Sequence, residues 1–331
     1  MRIRRFIFAS TLIAILLAGC GRDGEPKPQE IAYVVAPQAT LRDRLAAVYN
    51  KVGAVENGDR VEVLETQKRM ARVRTATGAV GWIEMRHLVG EEVFRAFQDL
   101  RVQHQRDPAA SRARTRADLN MHSTPGRDAP RLYQLRAEEE VELLQRATQP
   151  KPVTQAPAAP KAGAGPPPPV LEDWWLARDS RGRIGWVLGR MVDIVCPLEV
   201  AQYAEGKRIV ACPVLSQVED DGRKVPQYLM VLTEPRDGLP YDYAQVRVFT
   251  WNTARDRYET AYRERNLNGV LPVPVGREDF EKEGNLPVFT LRLRQEDASL
   301  AERKYKMNGV MVRRVLAPGE NPPPASRRGR R

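Results

Sequence analysis

The chain has 331 residues, 53 Lys plus Arg against 42 Asp plus Glu, a formal net charge of +11 and 42% apolar residues. That length gives two or three domains, and the apolar share rules out wholesale disorder, although 26 prolines and 23 glycines impose many breaks. With only three His and three Cys, most zinc, haem and iron–sulfur classes are excluded, so no metal and no cofactor is expected.

In chain order, residues 1–20 read MRIRRFIFASTLIAILLAGC. Arg2, Arg4 and Arg5 form a positive start, and Phe6 to Ala18 is an apolar run too short to span a bilayer as a helix. Small residues Ala18 and Gly19 then precede Cys20, whose sulfur is a nucleophile able to carry a lipid thioether. Leu17-Ala18-Gly19-Cys20 resembles the lipobox of bacterial lipoproteins. That resemblance implies a signal peptide over 1–19, cleavage before Cys20, lipidation there and attachment to a membrane in the cell envelope. Position 21 is Gly rather than Asp, so the inner-membrane retention signal is absent. In a cell with an outer membrane, the expected address is that membrane, facing the periplasm. Residues 20–30 read as a linker.

From residue 31 the sequence repeats. Val61-Glu-Val-Leu64 recurs as Val141-Glu-Leu-Leu144, with Val52, Val55 and Asp59 answering Leu132, Leu135 and Glu139. Thr40-Leu41-Arg42 is matched to Asp118-Leu119-Asn120. Downstream, Met70 to Ile83 aligns without a gap onto Trp174 to Val187. The change of offset requires an insertion, and residues 150–169 hold eight prolines, a composition that builds no core. Each copy reads as about five short strands with Thr77-Gly78 or Arg181-Gly182 as a hairpin. A Gly-Trp pair follows, at Trp82 and Trp186, where the ring supplies core volume and the Gly permits close backbone approach. This order of motifs resembles bacterial SH3-like domains. The resemblance implies two small barrels, over 31–90 and 117–192, that bind peptidoglycan stem peptides or protein segments. In the second copy Glu138-Glu139 replaces Gly58-Asp59 and Asn120 replaces Arg42, which favours the first copy as the ligand site. Candidate ligand-binding residues are Arg42, Trp82, Trp174, Trp175 and Trp186.

Trp174 and Trp175 are neighbours on one strand, so they face opposite sides. One ring fills the barrel; the other, expected to be Trp175, is either exposed beside a groove or covered by residues 150–169. Between the copies, residues 91–116 read as an amphipathic helix with Val93, Phe97 and Leu100 on one face, packing on its own barrels, followed by a basic connector.

Residues 193–222 read as a connector holding Cys196 and Cys212, an even pair that in an oxidising compartment forms a disulfide contributing roughly 3 kcal/mol. Residues 223–316 alternate as strands and read as an antiparallel β sandwich or meander. Arg292, Arg294, Lys304, Lys306 and Arg313 are expected on a solvated basic face. The tail over 317–331 ends in four arginines, suited to anionic lipid or lipopolysaccharide and, given the compartment, not to nucleic acid. No catalytic residues stand out: His87, His104 and His122 share no spacing with a nucleophile or acid pair. The whole reads as a mainly β, non-enzymatic, lipid-anchored tether. An envelope hydrolase working from 223–316 and a ligand-free scaffold are the alternatives. Replacing Cys20 by Ser is expected to abolish lipid labelling and shift the chain from membrane to soluble or precursor fractions, read by fractionation and mass analysis.

Overall fold

The computed structural model describes residues 27–152 and 168–316. The first sheet comprises β1 (Glu30–Val34), β2 (Gln38–Arg42), β3 (Lys51–Glu56), β4 (Arg60–Gln67), β5 (Met70–Thr75), β6 (Val80–Glu84) and β7 (Leu88–Gly90). Helix α1 (Glu91–His104) follows. The second sheet comprises β8 (Ser111–Thr115), β9 (Leu119–His122), β10 (Arg131–Leu135), β11 (Glu140–Pro150), β12 (Leu171–Asp179), β13 (Ile184–Leu188) and β14 (Val192–Ile194). Their strand orders, β3-β2-β6-β5-β4-β1-β7 and β10-β9-β13-β12-β11-β8-β14, are the same order shifted by seven strands. These are the two small barrels of the repeat.

The copies agree residue by residue. Val63 pairs with Val73 and Leu143 with Ala177, and in each copy the register then slips, at Leu64 and at Leu144. A bulge at this point bends the long strand and lets a flat ladder curl. The glycines of the Gly-Trp pairs make the close approach that the sequence predicts, but the rings do not fill the barrels: Trp82 is outside the first barrel's core cluster, and Trp186 packs with Trp174 apart from the second's. A Cβ on Gly81 would lie 2.8 Å from Leu41 Cβ, and one on Gly185 would lie 2.9 Å from Met121 Cβ. That contact corrects one alignment. Leu41 matches Met121, so the counterpart of Arg42 is His122 rather than Asn120, and one offset holds from β2 to β4, with β1 matching β8 one residue further on. The turn before β4 is conserved in geometry too. Asp59 accepts a hydrogen bond from the Glu56 N–H at 2.8 Å, and Glu139 accepts one from Arg136 N–H at 2.9 Å. Gly58 and Glu138 precede them with φ of 89° and 60°.

Two boundaries move. The second barrel begins at β8, inside the stretch expected to be a connector, and residues 208–220 are sheet strands rather than linker. The insertion prolongs the β11–β12 hairpin, with pairing running out to Pro150 and Leu171; residues 153–167 lie outside the described residues.

Helix α1 is wedged between the barrels, as its apolar face predicts. Phe97 is buried, Phe94 stacks on Tyr33 at 4.0 Å, and Phe97 meets Tyr133 edge-on at 5.2 Å. Asn57 completes the joint: its Nδ2 donates to the Leu132 carbonyl at 2.7 Å, and its Oδ1 accepts from the Gln134 N–H at 3.1 Å.

After the short α2 (Leu198–Ala201), the third sheet comprises β15 (Arg208–Ala211), β16 (Val214–Asp220), β17 (Arg223–Thr233), β18 (Gln245–Asn252) and β19 (Arg257–Glu264). The fourth comprises β20 (Gly269–Val270), β21 (Val275–Phe280), β22 (Gly284–Arg294), β23 (Leu300–Asn308) and β24 (Met311–Val315). Both follow one plan: two short strands share an edge of a long one, and a meander follows. The break between the short strands is a proline in each, Pro213 and Pro274, whose carbonyls accept from Leu229 and Thr290 N–H at 3.0 Å. The sheets face each other through Leu229, Val231, Val246 and Val248 on one side and Phe289, Leu291, Leu293 and Tyr305 on the other. This is the sandwich form of the expected β domain.

Cys196 and Cys212 are bonded, with Cα atoms 5.5 Å apart. The bridge pins residues 196–206 onto the outer face of the third sheet, over Met230, Leu232 and Phe249. On the basic face of the fourth sheet Glu278 holds Lys304 at 2.7 Å and Glu283 holds Lys306, while Arg294 is exposed as expected.

Glu138 occupies a left-handed conformation that costs a non-glycine residue roughly 1–2 kcal/mol. Glu138→Gly is expected to stabilise the chain by about 1 kcal/mol, partly offset by added unfolded-state freedom, read by chemical denaturation.

Candidate functional site

In the first barrel, β2 and β6 bring Arg42 opposite Trp82, and the loop over 43–50 rises beside them. Asp43 shapes that loop. Its carboxylate accepts from Arg44, from the Asn50 N–H at 2.8 Å and from Asn50 Nδ2 at 3.1 Å, while the Asp43 N–H donates to the Asn50 carbonyl at 3.0 Å. The Arg44 guanidinium, followed by Asn50, holds the Asp43 carboxyl well below the usual carboxylate range, so the loop stays closed at its base across physiological pH.

The closed base lifts an apolar tip. Leu45, Val48 and Tyr49 are exposed, Val48 at 85%, and Val52 on β3 continues the surface. The Arg42 guanidinium lies 4.3 Å over the Tyr49 ring and 3.7 Å from Glu84, itself held by Arg86 at 2.7 Å. The result is a shallow surface with an apolar wall, an aromatic face and a cation. It suits an extended peptide with a hydrophobic side chain and a carboxylate.

The same place in the second barrel is closed by its own chain. Arg127, from the loop over 123–130, donates from Nε and Nη2 to both oxygens of Glu172 at 2.7 and 2.6 Å. Glu172 is buried, and the Arg127 hydrogen bonds hold its carboxyl below the ordinary value. His122, standing where the first barrel has Arg42, donates from Nδ1 to the Ala129 carbonyl at 2.9 Å and packs edge-on against Trp174 at 5.2 Å.

The tryptophans separate accordingly. Trp174 and Trp175 do take opposite faces, but their assignment is the reverse of the expected one, and both are buried. Trp175 is the interior ring, sharing its cluster with Ala177 and Val187 and lying against Gly189. Trp174 and Trp186 lie on the outer face with Leu144, Leu176, Ile184 and Leu188, against Leu100 of α1. First-copy counterparts at two of these positions are Arg72 and Glu84, so the second barrel traded a wet outer face for a packed one. Of the five residues read as ligand candidates, Arg42 and Trp82 come together in the first barrel, where Trp82 is largely covered, and Trp174 and Trp186 come together only in the packed outer face of the second. Cys20 and most of residues 150–169 lie outside the described residues. Sequence reading missed Leu45, Val48 and Tyr49; the available signal was an apolar run in a segment without strand alternation.

Groups for chemistry are dispersed. His104 bonds Asp107 at 2.7 Å at the end of α1, and both described cysteines are in the bridge. Among the described residues no three His, Cys, Asp or Glu side chains gather as a metal site.

No protein-family model matches the chain, and no curated protein matches it. Two solved structures from Trichomonas vaginalis are similar at low identity. NlpC2 is 12% identical, covering 73% of this chain and 98% of its own, at a TM-score of 0.18. NlpC1 is 11% identical, covering 75% and 92%, also at 0.18. Similarity at that score carries no argument.

Burial, reinforced by Arg131, lowers the His122 pKa from 6.5, although the Ala129 contact works the other way. The unfolded chain therefore binds a proton before the folded one does. Stability is full above the ordinary histidine value and falls as pH drops from about 6.5 toward the lower folded value. His122→Gln is expected to flatten that dependence in tryptophan-monitored unfolding compared at about pH 7.5 and about pH 5.5.

Proposed function

We propose that this protein is a lipid-anchored component of the bacterial cell envelope that recognises a peptide segment through its first barrel, tethering the membrane to the wall. The segment is a peptidoglycan stem peptide or a stretch of an envelope protein. The observation that carries the reading is the difference between two matched barrels. The first leaves Leu45, Val48 and Tyr49 exposed around the Arg42 guanidinium, while the second fills the equivalent space with Arg127 and Glu172. The resemblance of the repeats to bacterial SH3-like domains and of residues 17–20 to a lipobox supports the ligand class and the address. The arginines at the end of the chain suit anionic headgroups of the same membrane.

The expected result is retention of the full chain on purified peptidoglycan without release of soluble muropeptides. Tyr49→Ala is expected to weaken retention by about tenfold, the usual effect of removing an exposed aromatic anchor. Val48→Asp is expected to weaken it similarly while leaving thermal stability unchanged. Released muropeptides would assign a hydrolytic role instead, and no retention would leave a scaffold without a wall ligand.

A further inference from the structure

A second opening, of about 450 Å³, lies between the second barrel and the sandwich, away from the 43–50 loop. That volume is in the range of small-molecule sites. Arg146 bridges its two walls. This buried guanidinium donates to Asp173 and Thr148 on the barrel and to Asp242 and the Leu239 and Tyr241 carbonyls on the sandwich, at 2.8–3.1 Å.

The charges around the opening are unevenly used. Asp173 and Asp242 are occupied by Arg146, and Asp193 is held by Arg116 at 2.5 Å. Arg208 directs one nitrogen, Nη1, at Asp237 at 2.8 Å and at Asp173 at 3.8 Å, and Lys207 holds Glu234 at 2.6 Å. Arg190 is exposed and, among the described residues, makes no ion pair; its nearby charge acts on Glu172, which Arg127 already holds in a fork. An arginine offers five N–H donors, so Arg116, Arg190 and Arg208 keep most of theirs for another acceptor. A second observation is independent of charge. Thr233, on the lining, is 4% exposed, and its Oγ1 has no hydrogen-bond partner. Buried hydroxyls are ordinarily paired, so this one is missing an acceptor or donor. The remaining lining is apolar, with Trp175 and Ile209.

We propose that this opening binds the phosphate group of a small organic phosphate, with Arg190, Arg208 and Lys207 around the anion, the Thr233 hydroxyl bonded to it, and the organic part against Trp175. Arginine forks and a hydroxyl are the donors phosphate recognition uses. The volume exceeds what a bare phosphate fills, which is why an organic remainder is specified.

The test titrates the full chain with glycerol 3-phosphate by calorimetry and, separately, with vesicles containing phosphatidylglycerol. Saturable binding of either that Arg190→Ala weakens supports the proposal: the soluble arm alone identifies a free phosphate ester, and the vesicle arm alone a lipid headgroup. Arg190→Ala is expected to weaken binding about tenfold, and Thr233→Val, which keeps shape and removes only the hydroxyl, severalfold. Tyr49→Ala is expected to leave this binding unchanged, which separates the site from the peptide surface of the first barrel. Binding of neither probe, or binding that survives both Arg190→Ala and Thr233→Val, overturns it.

Discussion

Arg146 is the residue on which the arrangement of the C-terminal half depends. A guanidinium taken out of water is costly unless every N–H finds an acceptor, and here the acceptors come from two structural units. Neither the barrel hairpin nor the 237–242 loop could satisfy it alone. The Gly238 N–H donates to the same Asp173 oxygen, at 3.1 Å, and a Cβ at Gly238 would run into Leu171. Relative placement of barrel and sandwich is thus set by a polar contact with few alternative geometries, while the apolar cluster continuous between them supplies area.

Divergence between the copies follows from what each must touch. The first barrel has solvent outside β5 and β6 and keeps Arg72 and Glu84 there. The second meets α1 on that face and the sandwich beneath, so Leu176, Leu188 and both neighbouring tryptophans are drawn into packing. A ring that would be a binding platform on an isolated barrel becomes core once another unit lies against it.

That dependence marks where sequence reading stops. The repeat was legible because strand alternation, a bulge-bearing Val-Glu-Val-Leu run and Gly-Trp close contacts are local, and the register of β4–β6 follows the alignment. The disulfide was legible from an even pair of cysteines, Cys196 and Cys212, each in an apolar strand-like run ending at a proline. Strand β8 was harder: Ser111–Thr115 is rich in arginine and reads as a connector, yet its small residues Ser111, Ala113 and Thr115 point inward. The matching plan of the third and fourth sheets left almost no residue identities behind, only a proline at each edge break. Nothing local in Arg146, Thr148 or Asp173 announces partners almost a hundred residues away. The exposed tip at Val48 and Tyr49 was missed for the opposite reason, since solvent-facing apolar residues break no pattern that a fold requires.

The prolonged β11–β12 hairpin has a consequence for how the chain tolerates being cut. Its two strands are registered at nine pairs from Val141–Asp179 to Pro150–Leu171. A protease acting between residues 152 and 168 would therefore yield two fragments that stay together through a strand ladder, the Arg127–Glu172 fork and the Arg146 contacts. The molecule is built to be divisible at that point without coming apart.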